Sequence, residues 1–184
     1  MRTDPRGSLA RIRDVAPAAS PRAALDDLDL SLLRLLAADG RASHRSLAAA
    51  LSVSTPTVRE RMARLERSGV IAGYGVRVDW AAMGVTESVY LSLTAGSGAD
   101  VADIMVSLWA IPEVEHIDLV TGDLDLLVRL RVRDNDHLRH LLMNHIWQIE
   151  GMQRSSTMTS MATMPAKNHT AELLGHLRDG SPHH

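Results

Sequence analysis

Four arginines, Arg59, Arg61, Arg64 and Arg67, fall within the stretch 51–74, which reads LSVSTPTVRERMARLERSGVIAGY. The guanidinium group is planar and permanently charged, and its fork of donors fits phosphate oxygens and guanine edges. Three hydroxyls, Ser54, Thr55 and Thr57, stand just before them. Such groups reach a phosphate or a thymine methyl. Val58, Met62 and Leu65 recur at helical spacing and form a narrow apolar stripe. Most of the arginines lie off that stripe. Arg61 borders it, where it either contacts a partner or braces the domain. The same pattern also describes a solvated amphipathic helix whose arginines pair with Glu60 and Glu66. The segments on either side decide between the two readings.

The other clusters able to do chemistry are weaker. Gly122-Asp123-Leu124-Asp125 joins two strand-like runs, and its residues are those of an ordinary hairpin turn. His137 and His140 stand three apart, a spacing at which two rings can share a metal, and His145 follows them. No firm third ligand accompanies them, so no metal site is assigned. His116 and Asp118 share one strand face. The sequence offers no Ser/His/Asp order, no phosphate-cradling glycine loop and no catalytic carboxylate pair, so no catalytic residue is assigned.

The elements around the arginines are legible. Residues 27–39 predict a helix with Leu28, Leu32, Leu35 and Leu36 on one face, stopped by Gly40. Ser43 can cap a second helix, 44–51, which turns Leu47, Ala48 and Leu51 inward and carries Arg45. Ser52-Val53-Ser54 makes the turn into the arginine helix. Ser54 or Thr55 caps that helix, Pro56 lies in its first turn, and Gly69 ends it. Three helices with sharp connections make a helix-turn-helix DNA reader. Arg45 joins Ser54, Thr55, Thr57, Arg59, Arg61 and Arg64 as its candidate contacts.

Beyond it the period changes. A strand over Ile71–Asp79 and a short link, 80–85, lead to an alternating strand over 86–94. Then come a helix over 100–111, strands over 114–121 and 124–132, a helix over 135–149 and a last strand over 153–162. The order βαββαβ is the ferredoxin-like plan. Two helices cover one face of its sheet. Ile117, Leu119 and Leu127 are expected on the other, which points to a second copy of the chain. Residues 1–24, with prolines at 5, 17 and 21, read as a flexible tail, and 165–184 as a C-terminal extension.

Composition sets limits. The 184 residues suffice for two small domains, with cores built from aliphatic residues because Phe is absent and only three Trp and two Tyr occur. The absence of cysteine excludes disulfides and thiolate chemistry. No apolar run is long enough to span a membrane and no signal-peptide pattern is present, so a cytoplasmic protein is expected. The net charge of −2 conceals a balance of +4 over residues 1–80 and −6 over residues 81–184. A basic front half suits a domain that faces phosphate.

With these residues in place, the chain resembles the Lrp/AsnC, or feast/famine, family of prokaryotic transcription regulators over about residues 25–162. Leu25-Asp26-x-Leu28-Asp29 resembles the family's opening LDxxD. Asp39-Gly40-Arg41, Leu47-Ala48, Val53-Ser54, Val58, Arg61-Met62, Leu65-Glu66, Gly69-Val70-Ile71 and Gly73-Tyr74 follow in order. Val120-Thr121-Gly122-Asp123-x-Asp125 resembles its TGDxD turn. The resemblance implies an α+β chain: a winged-helix-like helix-turn-helix head over 25–70, a linking strand and hinge over 71–85, and a ferredoxin-like RAM domain over 86–164. It implies double-stranded DNA as partner, a homodimer that assembles further, typically to an octamer, and a small-molecule effector, commonly an amino acid, but no cofactor. The effector would sit at Gly122, Asp123 and Asp125, with Thr157 and Thr159 contributed by a neighbouring subunit. Two rivals stand beside this reading. One is a tetrapyrrole enzyme of the siroheme-decarboxylase type, which shares the fold and would use His116, Arg129 and Arg131. The other is an architectural DNA-binding protein without an effector.

Overall fold

The structure, a computed structural model, describes residues 22–164 and 167–178, together with Arg11 and Val15. The rest of the expected N-terminal tail and the end of the C-terminal extension lie outside the described residues. The chain divides into two compact units. One is built on residues 78–163, with Arg11 and Val15. The other is built on residues 22–77 and the segment after 163.

The second unit opens with α1 (Asp27–Ala38), α2 (His44–Leu51) and α3 (Thr55–Arg67). Each start has a local cause. Asp26 caps α1 in a reciprocal box: it accepts the Asp29 amide at 2.8 Å, and Asp29 accepts the Asp26 amide at 3.1 Å. Ser43 caps α2, and Ser54 caps α3 by accepting from Thr57 N–H at 3.2 Å. The α2–α3 turn passes through Ser52 at φ 55°, a left-handed backbone on a non-glycine residue. The Val53 amide, at 3.0 Å from Ala48 O, ties that turn to α2. Leu32, Leu36, Leu47, Ala48, Val58 and Leu65 form the core. Gly69, at φ 72°, ends α3 as its sequence position requires.

The segment after Ile71 differs from expectation. Residues 72–79 form no strand among the described residues, and Val76 is 81% exposed. The alternation is real, but a strand also needs a ladder partner, and the described residues offer none.

The other unit is a four-stranded antiparallel sheet in the order β2-β3-β1-β4. Its strands are β1 (Glu87–Ala95), β2 (Val114–Leu119), β3 (Leu126–Val132) and β4 (Met152–Thr159). Helices α4 (Val101–Trp109), capped by Asp100, and α5 (Asn135–Asn144), capped by Asp134, cover one face. Val89, Leu91, Leu93, Leu126, Val128 and Leu130 meet Ile104, Leu108, Leu141 and Ile146 in a core whose members are almost fully buried. Burying such a side chain contributes about 1.5–3 kcal/mol. The expected continuous helix over 135–149 instead ends at Asn144. His145, at φ −126°, leaves helical geometry, and Ile146–Gln148 forms a 3-10 turn. Arg11, in the expected tail, reaches Asp100 at 2.7 Å and Asp103 at 2.6 Å.

One register shift corrects the expected sheet face. The β2–β3 pairing slips between Val114 and His116. This bulge at Glu115 inserts one residue and reverses the alternation beyond it. Ile117 and Leu119 therefore stand opposite Val128 and Leu126, on the helix-covered side, and not on the open face. Leu127 does lie on the open face, with Tyr90, His116, Asp118 and Arg129.

Candidate nucleic-acid interface and ligand loop

Val58 and Leu65 anchor α3 at 1% exposure each. Arg59 and Arg67 then point outward and make no hydrogen bond or ion pair among the described residues. Arg45 on α2 is likewise exposed. Thr55 and Thr57, at the start of α3, are half-buried, and Ser54 and Thr57 share a hydroxyl contact of 2.7 Å.

Arg61 and Arg64 turn back to α1. Arg61 Nη1 donates to Asp26 at 2.6 Å and to Asp29 Oδ1 at 2.9 Å, and Arg64 Nη2 donates to Asp29 Oδ2. Asp29 is fully buried, and a buried carboxylate persists only when paired. Its pairing with two arginines holds α3 against the start of α1. The Arg61 hydrogen bond, with the Asp29 amide second, lowers the Asp26 carboxyl from its ordinary value to about 2. The same contact raises the Arg61 guanidinium. Arg61 thus braces the head. Arg64, its side chain 49% exposed, keeps donors free while one is held by Asp29. At the far end of α3, Tyr74 donates to Glu66 at 3.1 Å, and burial followed by this contact pushes the phenol up.

In the sheet unit, the loop 120–125 closes when the Val120 amide reaches Asp125 O at 2.9 Å. Gly122 sits at φ 130°, a region open to glycine. The two carboxylates differ. Asp125 Oδ2 accepts the Ala95 amide at 2.7 Å and so fastens the loop to the end of β1. Asp123 is exposed, and its carboxylate has no partner among the described residues. Thr157 and Thr159 are exposed on β4, opposite Leu91 and Val89. Strand β1 lies between β4 and β3, and the register sets Thr157 and Thr159 level with Val128 and Leu130, so more than two strand spacings, over about 10 Å, separate the threonines from the loop within one chain.

The histidines have local partners. His137 Nδ1 accepts the Arg133 amide at 3.3 Å, and its Nε2 meets Glu113 at 3.1 Å. The rings of His140 and His145 lie 5.9 Å apart. Among the described residues, no group of three ligands is placed to hold a metal. The residues named for a tetrapyrrole are engaged as well. His116 meets Asp118 at 3.0 Å. Glu115, at the bulge, takes Arg131 at 2.8 Å in a hydrogen bond, and Arg129 at 2.9 Å as an ion pair without hydrogen-bond alignment. The cleft beside Tyr90, His116 and Arg129 holds about 240 Å³. That is below the roughly 300–1,000 Å³ usual for small-molecule pockets.

A three-helix DNA-reading head, joined to a ferredoxin-like sheet with an exposed acidic loop, defines a regulator that binds DNA and a ligand through separate units. The AsnC-type helix-turn-helix domain matches residues 25–66, and the Lrp/AsnC ligand binding domain matches residues 88–168. An uncharacterised HTH-type transcriptional regulator of Pyrococcus abyssi is 32% identical over 148 residues, 80% of this chain and 92% of that protein. LrpA of Mycobacterium tuberculosis is 37% identical over 119 residues, 65% of this chain and 79% of that protein. A Neisseria meningitidis transcriptional regulator, solved with L-methionine, shares the fold at a TM-score of 0.74 and 19% identity, over 78% of this chain and 94% of that one. The chain belongs to the Lrp/AsnC family and is a DNA-binding transcriptional regulator.

Proposed function

We propose that α3 enters the major groove with Arg59 and Arg67 as its free cations. Arg64 makes a shared contact, and Arg45, Ser54, Thr55 and Thr57 hold the flanking backbone. The observation that carries this reading is the division of the α3 arginines. Arg59 and Arg67 are exposed and unpaired among the described residues, whereas Arg61 is tied to Asp26 and Asp29. An amino acid or related metabolite binds at the 120–125 loop. There Asp123 pairs with its ammonium, loop amides receive its carboxylate, and Thr157 and Thr159 come from a neighbouring subunit. The segment 72–79 pairs with a second copy, the open sheet faces form the dimer, and dimers assemble further, to an octamer. Effector binding between subunits then changes the spacing of the heads along DNA.

Footprinting on the protein's own upstream region, with and without each of the twenty amino acids, tests this. One amino acid should change the length or spacing of the footprint. Asp123→Asn should weaken that amino acid about tenfold, the scale of one charged hydrogen bond, while DNA affinity of the ligand-free protein holds. Wild-type protection that no amino acid alters would leave the architectural reading in place.

A further inference from the structure

Residues 169–178 fall beyond both matched domains, which end at 66 and 168. They nevertheless fold as α6 (His169–Arg178) and pack along α1. Asn168 makes the junction. Its Oδ1 accepts the Ala171 amide at 3.1 Å and its main-chain oxygen accepts the Glu172 amide at 3.2 Å, so it starts α6. Its Nδ2 donates to Ala37 O at 2.7 Å, across 131 positions of sequence. Ala37 lies in the last turn of α1, where carbonyls lack a donor within the helix, and that turn carries no basic residue. One side-chain amide therefore starts one helix and ends another. Lys167 and Glu172, 2.7 Å apart, brace the same corner. Ala171 and Leu174, one turn apart, are half-buried. Within the head, α6 packs on α1 and not comparably on α2 or α3, so it does not cover the free arginines of α3.

We infer that α6 is a fourth helix of the DNA-reading head, and that its dock on α1 is a second link between the head and the ligand-binding unit. The first link is the segment 72–79, which carries no regular secondary structure. The second runs from the end of β4 at Thr159 to Asn168, a reach of at most about 30 Å. A head held at one end of its sequence samples more positions than a head held at both. The dock therefore raises the effective concentration of a second head once the first has bound. The occupant of the outer face of α1 is this chain's own segment 168–178. The inference rests on the DNA-binding reading above.

Leu174→Asp in the full-length protein places a charge in the dock, and Asn168→Ala removes the junction. Amides of α1 should exchange about tenfold faster in the first variant and less so in the second. Affinity for a one-site duplex should stay within about twofold, while affinity for a two-site duplex falls about fivefold or more. Mass by light scattering should not change. Unchanged exchange in α1 would overturn the dock. Equal losses on both duplexes would make α6 a stabilising helix and overturn the link. Failure of the wild type to bind either duplex would sink the DNA reading and the link with it, while exchange still decides the dock. The chain has no cysteine, so Ala37→Cys with Asn168→Cys gives one pair for a short bis-maleimide. A cross-link within one chain is expected, and one between two chains would assign the α1 face to a partner's α6.

Discussion

Asp29 divides the arginines of α3 into two classes. It is the one fully buried charged side chain among the described residues, and Arg61 and Arg64 both turn to it. Removing the whole partner of a buried carboxylate costs about 3–5 kcal/mol, and removing Arg61 costs part of that because Arg64 and the Asp26 amide remain on Asp29. Arg61→Ala should therefore lower the melting temperature of the head, whereas Arg59→Ala should leave it unchanged and weaken DNA binding. Arg59→Ala should also reduce the salt dependence of binding by about one unit of slope, as expected of a lost phosphate contact. Melts and salt titrations of the two variants check this, and an Arg59 variant that binds normally would remove that residue from the interface. Asp26 gives a second test. Its carboxyl is held at about 2, below its ordinary value, chiefly by Arg61. As acid is added the unfolded chain takes the proton first, so this contribution is present above about pH 4 and is lost toward pH 2. Urea midpoints followed over that window should fall less steeply for Asp26→Asn than for the wild type. The sequence shows Asp26 and Asp29 only as part of the LDxxD opening and Arg61 as a border residue. It does not show that they meet, because their partners stand 32 or more positions away and only tertiary packing joins them.

Among the elements, periodicity placed the helices and strands well where one face is buried and a cap is present. Ser43 and Ser54 open their helices as the sequence implies, and Asp26 opens α1 as a cap not expected from the sequence. The misplacements have three causes. The segment 71–79 alternates like a strand but has no ladder partner among the described residues. The helix expected over 135–149 breaks at His145 into a tighter turn. In β2 the period-two argument carries Ile117 and Leu119 to the wrong face, because one extra residue at Glu115 inverts every position after it. The packing of α6 on α1 left no local signal, since Asn168 and Ala37 are neighbours only in the fold. Gly151 carries a constraint that its place in the sequence does not show. Its φ of 86° and a Cβ position only 2.8 Å from Ala99 Cβ make any side chain a clash. Its carbonyl also accepts the Gly96 amide at 2.7 Å. Gly151→Ala should lose about 1–3 kcal/mol of stability from backbone strain alone, read as a lower urea midpoint at unchanged m-value. Wild-type stability in that variant would mean the β4 entry relaxes freely.

For the whole molecule, the open question is what covers the bare face of the sheet. One layer of secondary structure is rarely left without a second. Tyr90 is 37% exposed there and Met158 is 49% exposed, with Leu127 between polar neighbours. Most of the charges on this face have partners: Glu115 meets Arg129 and Arg131, and Asp118 meets His116, while Arg154, opposite Thr94 on β4, has none among the described residues. A face whose charges are mostly paired around apolar residues can meet its own copy if Arg154, at the β4 edge, stays in solvent, which suits a two-fold dimer. Leu127→Lys tests this with little harm to the single chain, because the residue opposite Leu127 on β2 is Asp118. The substitution should shift the full-length protein to a smaller species by light scattering, whereas Leu119→Asp, on the helix-covered side, should leave the dimer through this face intact. Separating the copies should also lower affinity for a two-site duplex by about 10²–10⁴, the gain that linked binding events supply, and spare a one-site duplex. If Leu127→Lys keeps its mass while Leu119→Asp loses it, the dimer forms through the edge of β2 and the bare face belongs to another partner.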